Sequence, residues 1–217
     1  MLDAVTPYVA GLGIRVLQGN RLGATEADHV AALHRFMTLP PGATVADLGC
    51  GTGEVARILG ALRPDLRFLL VNYSGAQLAM APSGTRFARL LADFHALPLA
   101  DGCADVALHL YSLCHGDPPS ALAEAARIVR RGGSLFIYDL ARERGDNAAV
   151  EMRLFARFHP VAAIAGWAEA AGWSLDGVAQ PVGDDLVLRG LFPDPGEYDA
   201  LMSDLRATIW RFTRRAP

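Results

Sequence analysis

Short apolar runs alternate with amphipathic segments through the middle of the chain. The apolar runs predict strands over 44–48, 67–72, 86–91, 105–110 and 134–139. The segments with helical spacing predict helices over 54–62, 75–80 and 119–130, the last closed by a stop and turn at Arg131-Gly132-Gly133. Such alternation is typical of a parallel sheet with helices on both faces. We therefore expect an α/β fold whose ligands bind at the carboxyl ends of the strands.

The pattern becomes weaker after residue 140. We expect helices over about 150–158 and 161–171, and a hairpin that pairs 173–180 with 186–192. The apolar spacing over 197–214 predicts a last amphipathic helix, whose stripe we interpret as a packing or dimer face. The stripe comprises Tyr198, Leu201, Met202, Leu205, Ile209 and Phe212.

Composition restricts the class of protein. A chain of 217 residues that is 52% hydrophobic and 20% charged is expected to fold as one globular domain. The net charge of −3 disfavours a general nucleic-acid binder, which usually carries a basic excess. Cys50, Cys103 and Cys114 are an odd number without metal-like spacing, so we expect a reduced, cytoplasmic protein without a metal site. We identify neither a signal peptide nor an apolar stretch of the roughly 20 residues that span a bilayer.

A glycine-rich turn follows the first strand and is the most informative motif. Gly49, Gly51 and Gly53 alternate with other residues after Asp47, and the next helix begins at Glu54. Glycine exposes the backbone to a ligand, and the helix start adds unpaired N–H groups. A dinucleotide fingerprint would need a glycine where Glu54 stands. An acid followed by G-x-G-x-G instead resembles the first motif of the class I S-adenosylmethionine (SAM)-dependent methyltransferases.

The resemblance covers about residues 42–140 and includes the core landmarks of the family in order. It implies a Rossmann-like fold, with a mostly parallel seven-stranded sheet flanked by helices, an N-terminal helical lid and an extra C-terminal helix. We expect a single domain over 1–217. Its parts would be the lid over 1–38, the cofactor-binding core over 42–140, substrate-side helices and a hairpin over 141–192, and a C-terminal helix over 193–217 that could form a homodimer.

The resemblance also suggests which residues contact SAM. The glycine turn and Asp47 would hold the methionine end. Most of the family has an acid where the second strand ends, but this chain has Asn72, followed by Ser74 and Gln77. That combination is similar to cyclopropane-fatty-acid-type and isoprenoid C-methyltransferases, and both amides could bind the ribose. The full set of candidate contacts is Asp47, Gly49, Gly51, Gly53, Asn72, Tyr73, Gln77, Asp93, Phe94 and Tyr111, with Asp93 and Phe94 at the adenine.

Residues after the fourth strand carry the candidate chemistry. His115 is the best candidate base, because histidine titrates near neutrality, and Tyr111 could line the methyl channel. The stretch Leu113–His115 is similar to a segment of the sterol C-methyltransferases. This similarity implies attack of an alkene on the methyl group, with a carbocation stabilised by aromatic faces and a carboxylate. Glu151 is our candidate for that carboxylate.

The substrate is the least determined feature. A prenyl diphosphate would need several arginines, although a solvated charged face explains the same residues. The candidates for substrate binding are Tyr8, Arg21, Arg142, Arg144, Arg153, Arg157 and His159. We prefer C-methylation of an isoprenoid in secondary metabolism. O- or N-methylation of a small aromatic or amine, with His115 as base, and a non-catalytic SAM-binding partner protein stay open as alternatives.

Overall fold

The computed structural model describes residues 14–145, 147–183, 185, 189–190, 192 and 194–216. Within these ranges seven strands form one sheet in the order β3-β2-β1-β4-β5-β7-β6. The strands are β1 (Thr44–Leu48), β2 (Arg67–Asn72), β3 (Phe87–Leu91), β4 (Ala104–Leu110), β5 (Val129–Arg142), β6 (Trp173–Ala179) and β7 (Leu205–Arg214). The helices are α1 (Glu26–His34), α2 (Glu54–Leu62), α3 (Gly75–Met80), α4 (Pro118–Ile128), α5 (Ala148–Leu154), α6 (Val161–Ala170) and α7 (Pro195–Met202). The α/β class and the mostly parallel seven-stranded sheet are confirmed.

Strand β1 lies at the centre of the sheet, parallel to β2 on one side and to β4 on the other. Consecutive residues of a strand point to opposite faces, and both faces of β1 are covered. Val45 belongs to the apolar cluster that includes residues of α1 and α2, whereas Ala46 belongs to the cluster that includes residues of α4 and α6. The strand order reverses between β1 and β4, which opens a crevice at their carboxyl ends.

The expectation of one C-terminal helix over 197–214 is wrong. Helix α7 ends at Met202, and β7 then runs antiparallel between β5 and β6, with Trp210 opposite both Ile137 and Val178. The β-branched and aromatic residues of this segment suit a buried strand. Of the two interpretations of the stripe, a packing face or a dimer face, the first holds for its described members, which are buried inside the fold. Its buried members are Tyr198, Met202, Leu205, Ile209 and Phe212, and the side chain of Leu201 lies outside the description.

Two further expectations concern this side of the sheet. Strand β6 pairs with β7, and the expected hairpin partner 186–192 lies mostly outside the described residues, which include only 189–190 and 192 of it. The expected helix stop at Arg131-Gly132-Gly133 lies inside β5, which begins at Val129 directly after α4. The register of the β4–β5 pair shifts between Ala104 and Val106, and Gly132 has a positive φ, so the strand accommodates residues that sequence patterns assign to a turn.

The N-terminal region differs in part from expectation. Residues 1–13, including Tyr8, lie outside the described residues, and residues 14–25 are irregular rather than helical. One helix of the expected lid region is present as α1, which begins with a reciprocal capping box between Thr25 and Asp28. Helix α5 is shorter than expected, because Phe155 adopts a left-handed backbone conformation after Leu154. In the part of the chain that the structure covers, we find no helix with the length and apolar character needed to cross a bilayer.

Candidate active site

A cavity of about 380 Å³ lies where the strand order reverses. Its wall comes from the glycine turn, the ends of β2 and β4, residues 93–95 and the irregular segment 15–18. The structure thereby brings together most of the candidates from the sequence. These are Asp47, Gly49, Gly51, Asn72, Tyr73, Gln77, Asp93, Phe94, Tyr111 and His115. Further residues that line it are Arg15, Val16, Leu17, Gln18, Thr52, His95 and Ser112.

The glycine turn is held by hydrogen bonds to the neighbouring strand. The N–H groups of Gly49 and Cys50 both donate to the Val71 carbonyl, each at 2.9 Å. Gly51 has a φ of +57°, and a β-carbon added there would meet no atom within 4 Å, because this position faces open space. Gly53 does not line the cavity. A β-carbon on Gly53 would press on Ala81, so this glycine permits packing of the turn against the residue that follows α3.

Asp47 is a buried carboxylate in the cavity wall, and no described residue donates a hydrogen bond to it. Burial without a compensating donor disfavours the charged form and raises the pKa of Asp47 to about 7. Burial and the nearby Asp47 charge also raise the pKa of the Cys50 thiol, so Cys50 stays protonated and unreactive. Asp47 is therefore suited to a cationic ligand group, which would restore its ordinary ionisation.

Asn72 organises the turn at the end of β2. Its amide nitrogen donates to the Gly51 carbonyl at 2.9 Å and to Oε1 of Gln77 at 3.0 Å, and its Oδ1 accepts from the Ser74 N–H at 3.2 Å. Both N–H bonds of Asn72 are thus directed at protein atoms, which leaves a lone pair on Oδ1 as its remaining group for a ribose. Tyr73 is 81% exposed at the cavity edge.

His95 fixes the orientation of Asp93. The Nε2 atom of His95 accepts from the Asp117 N–H at 2.9 Å, so the proton of the neutral ring lies on Nδ1 and is donated to Oδ1 of Asp93. The backbone N–H of His95 donates to the same oxygen at 2.9 Å. These hydrogen bonds lower the pKa of Asp93. The carboxylate thus stays ionised and keeps its second oxygen for a donor such as an adenine amine.

The end of β4 is tied to the end of β1. The Ser112 hydroxyl donates to the Leu48 carbonyl at 2.6 Å, so Nδ1–H of His109 must donate to Ser112 Oγ, at 3.0 Å. Burial lowers the pKa of His109 to about 3, and the Phe94 ring packs edge-on against this neutral imidazole. His109 is therefore a structural histidine, although its Nε2 atom is buried without a partner among the described residues.

Tyr111 is in the left-handed region, with a φ of +54°, and its hydroxyl accepts the Asn20 N–H at 3.1 Å. The Tyr138 hydroxyl donates to the carbonyl of the same Asn20. The half-buried Tyr111 and the buried Tyr138 thus hold both backbone polar groups of Asn20 in the N-terminal segment. Strained backbone of this kind is retained where the surroundings determine it, and it concentrates at ligand sites.

His115 lies on the one-turn 3-10 helix Leu113–His115, between β4 and α4. Its Nδ1–H donates to the Phe155 carbonyl at 2.9 Å, because a carbonyl can only accept. The neutral ring then carries its lone pair on Nε2, and the side chain lines the cavity. This arrangement is what a general base requires: one nitrogen is fixed by the protein and the other is available.

The remaining candidates that the structure describes do not line the cavity. Oε1 of Glu151 accepts the Phe158 N–H at 2.8 Å and so stabilises the turn after α5. Arg144 is bonded to Asp204, Arg153 stacks on Phe192 and Arg21 bonds Glu26. The His159 ring packs against Trp167. The arginines expected to bind a diphosphate therefore do not line this cavity, and Arg21, Arg144 and Arg153 make contacts elsewhere. The other two arginines of this group are Arg142 and Arg157.

Comparisons with known proteins agree with this geometry. Residues 46–137 match the family model described as a methyltransferase domain. The chain is similar to an O-methyltransferase of Pyrenophora dematioidea (32% identical, over 56% of this chain and 48% of that protein). It is also similar to the 2-methyl-6-phytyl-1,4-hydroquinone methyltransferase of Synechocystis sp. (30%, over 66% and 46%). The chain spans less than half the length of these curated relatives.

Solved structures share the fold at low sequence identity. The [4+2]-cyclase SpnF superposes with a TM-score of 0.83 at 18% identity, covering 100% of this chain and 94% of that one. A geranyl diphosphate methyltransferase in complex with GPP and sinefungin gives a TM-score of 0.76 at 15% identity, covering 98% and 94%. These likenesses show the fold of the described part of the chain.

Proposed function

We propose that this chain, whose residues 46–137 match the methyltransferase-domain family, is a class I SAM-dependent methyltransferase that transfers a methyl group from SAM to a small molecule. The observation that carries the proposal is the cavity at the switch in strand order. Its wall presents a free buried carboxylate, an open glycine, an oriented aspartate and a histidine with one available nitrogen. Fold alone would not suffice, because one fold serves many functions.

The residues of the cavity fit SAM group by group. Asp47 offers a partner for the ammonium of the methionine end, and the open space at Gly51 allows close approach to the backbone. Asp93, held by His95, offers an acceptor for the adenine amine, and Phe94 beside it offers an apolar face. SAM supplies an electrophilic methyl group on a sulfonium, so the protein has to position an acceptor and remove a proton.

We assign the proton removal to His115. Its Nδ1 is committed to Phe155, so Nε2 accepts the proton that the acceptor loses, either before attack or from a cationic intermediate. Tyr111 is also in the cavity wall, where its electron-rich ring could face developing positive charge. The hydroxyl of Tyr111 is engaged with Asn20, and burial raises the pKa of this phenol, so Tyr111 does not act as a base.

For the acceptor we propose an isoprenoid carbon without a diphosphate. The arginines that a diphosphate would need lie away from the cavity, whereas apolar residues such as Val16, Leu17 and Leu110 contribute to its wall. One curated relative is named for a phytyl-substituted hydroquinone, which combines an isoprenoid chain with an uncharged ring. The available Nε2 of His115 equally suits an aromatic hydroxyl, and another relative is named as an O-methyltransferase. Methylation of a small phenol is therefore our second candidate.

Release of S-adenosylhomocysteine from SAM tests both candidates. Three acceptor panels separate them: prenylated hydroquinones, short prenyl diphosphates, and small phenols and amines. We expect turnover with the first panel, and loss of that turnover in the Gly51→Val variant, whose side chain would occupy the cofactor space. Turnover confined to the diphosphates or to the phenols would reject the acceptor class that we propose. SAM binding without turnover on any panel would favour a non-catalytic partner role.

A further inference from the structure

The irregular segment 15–18 is fastened over the cavity by α1 and by the glycine turn. Oε1 of Glu26, in the first turn of α1, accepts the backbone N–H groups of Arg15 and Val16 at 2.7 and 2.9 Å. The Thr52 hydroxyl donates to the Arg15 carbonyl at 3.1 Å. The segment is therefore a fixed part of the cavity wall, and its side chains have defined positions relative to the glycine turn.

Gln18 has an orientation that His29 determines. The Leu22 N–H donates to Nδ1 of His29 at 2.9 Å, so the proton of the neutral ring lies on Nε2. That Nε2–H points at the Gln18 side chain at 2.7 Å, which makes the contacted amide atom the oxygen. Burial, helped by the Arg21 charge, lowers the pKa of His29 to about 4, so this tautomer persists at neutral pH. The amide nitrogen of Gln18 is left as a donor at the cavity wall, with no acceptor among the described residues.

Arg15 provides a positive charge at the same wall. Its guanidinium forms no ion pair with any described carboxylate, and Arg15 is the only arginine among the described residues that lines the cavity. Asp47 lies in the wall of the same cavity as an unpaired carboxylate. The cavity therefore contains a cationic and an amide donor, both unpaired, together with an unpaired anionic acceptor. This combination matches the two charges of an α-amino acid.

We propose that Arg15 and Gln18 bind the carboxylate of the methionine moiety of SAM, while Asp47 binds its ammonium, and that His29 is a positioning residue for Gln18. The inference rests on the proposed function, and it goes further by assigning recognition of the carboxylate to the N-terminal segment rather than to the glycine turn alone. Because Arg15 and Gln18 lie outside the sheet, cofactor binding would also stabilise the segment that covers the cavity.

Two ligands that differ at the methionine end test the assignment. S-adenosylhomocysteine carries the α-amino acid group, and methylthioadenosine lacks it but keeps the adenosine. We would measure the Kd of each by calorimetry for the unaltered chain, Arg15→Gln, Gln18→Glu and His29→Leu. Arg35→Gln is the matched control, because Arg35 is an exposed arginine just after α1 that does not line the cavity. Thermal melts establish that each variant is folded.

We expect Arg15→Gln and Gln18→Glu each to weaken S-adenosylhomocysteine about tenfold or more, since each loses or repels a charge-assisted partner. His29→Leu should weaken it less, because the amide is only released from its fixed orientation. Methylthioadenosine should bind all variants equally. Equal losses of affinity for both ligands, or no loss for either, would overturn the assignment of Arg15 and Gln18 to the carboxylate and leave the proposed function standing. Failure of the unaltered chain to bind S-adenosylhomocysteine would overturn the proposed function, and with it the assignment of Arg15 and Gln18 to the carboxylate.

Discussion

Gly49 and Ser112 approach each other so closely that a β-carbon on Gly49 would overlap the β-carbon of Ser112. The contact joins the glycine turn after β1 to the end of β4. Since Ser112 also donates to the Leu48 carbonyl, the two strand ends form one rigid unit. The motif thus has two kinds of glycine: Gly49 allows the protein to pack against itself, and Gly51 leaves space beside the cavity.

The two glycines should respond differently to alanine. Gly49→Ala combines overlap with Ser112 and a strained φ, so we expect it to lower the free energy of unfolding by about 2 kcal/mol or more. Gly51→Ala should cost about 1–2 kcal/mol from its left-handed backbone alone, while it weakens S-adenosylhomocysteine binding more than tenfold. Urea unfolding and calorimetric titration of both variants would check this. Similar stability losses, or unchanged binding in Gly51→Ala, would contradict the division of roles.

Asp47→Asn should stabilise the protein without ligand at neutral and alkaline pH. The pKa of Asp47 is about 7 in the fold and 3.8 ordinarily, so the folded state holds the proton more tightly. Ionisation therefore removes stability as the pH rises from about 4 to 7, and the loss is complete above 7, at about 4 kcal/mol at most. Asparagine cannot ionise, so the advantage of the variant should be small at pH 4 and largest at pH 8. Melting temperatures across this range measure it, and a constant difference would refute the account.

The same carboxylate should make cofactor binding depend on pH. Ionised Asp47 attracts the ammonium of S-adenosylhomocysteine, so affinity should increase between pH 5.5 and 7.5. Cys50, the titratable neighbour of Asp47, stays protonated over this range because its pKa is raised. Asp47→Asn should bind the ligand weakly and without this pH dependence, which calorimetry at three pH values would reveal. An unchanged slope in the variant would assign the titration to another group.

The elements from β1 to α3 could be predicted to the residue because local signals agree there: apolar strands, glycine turns and caps fall at the same boundaries. Strand β7 could not, since Leu205, Ile209 and Phe212 also fit helical spacing, and only the neighbouring strands determine which period applies. Arg15 and Gln18 belong to an irregular segment without a motif. The pairing of Gln18 with His29, eleven residues apart, is set by the packing of α1.

The sequence does not reveal the positions of the candidate diphosphate-binding arginines, for a related reason. Charge in a sequence does not reveal which carboxylate will neutralise it, and Arg144 bonds Asp204, which is 60 residues away along the chain. We expect Arg144→Gln to leave the affinity for S-adenosylhomocysteine and the turnover unchanged within about twofold, and to leave the urea midpoint of unfolding nearly unchanged, because solvent screens an exposed ion pair. Kinetics and urea unfolding would check both. A large rise in the KM of the acceptor would return Arg144 to the substrate site.

Replacement of His115 should separate chemistry from cofactor binding. His115→Gln keeps an amide that can donate to the Phe155 carbonyl but has no group that can accept a proton at neutral pH. We expect turnover to fall about 10²–10⁴-fold, the usual contribution of a general base, while the Kd of S-adenosylhomocysteine stays unchanged. Turnover that stays within about twofold of the unaltered enzyme would show that another group accepts the proton, and an equal loss of cofactor affinity would give His115 a binding role instead.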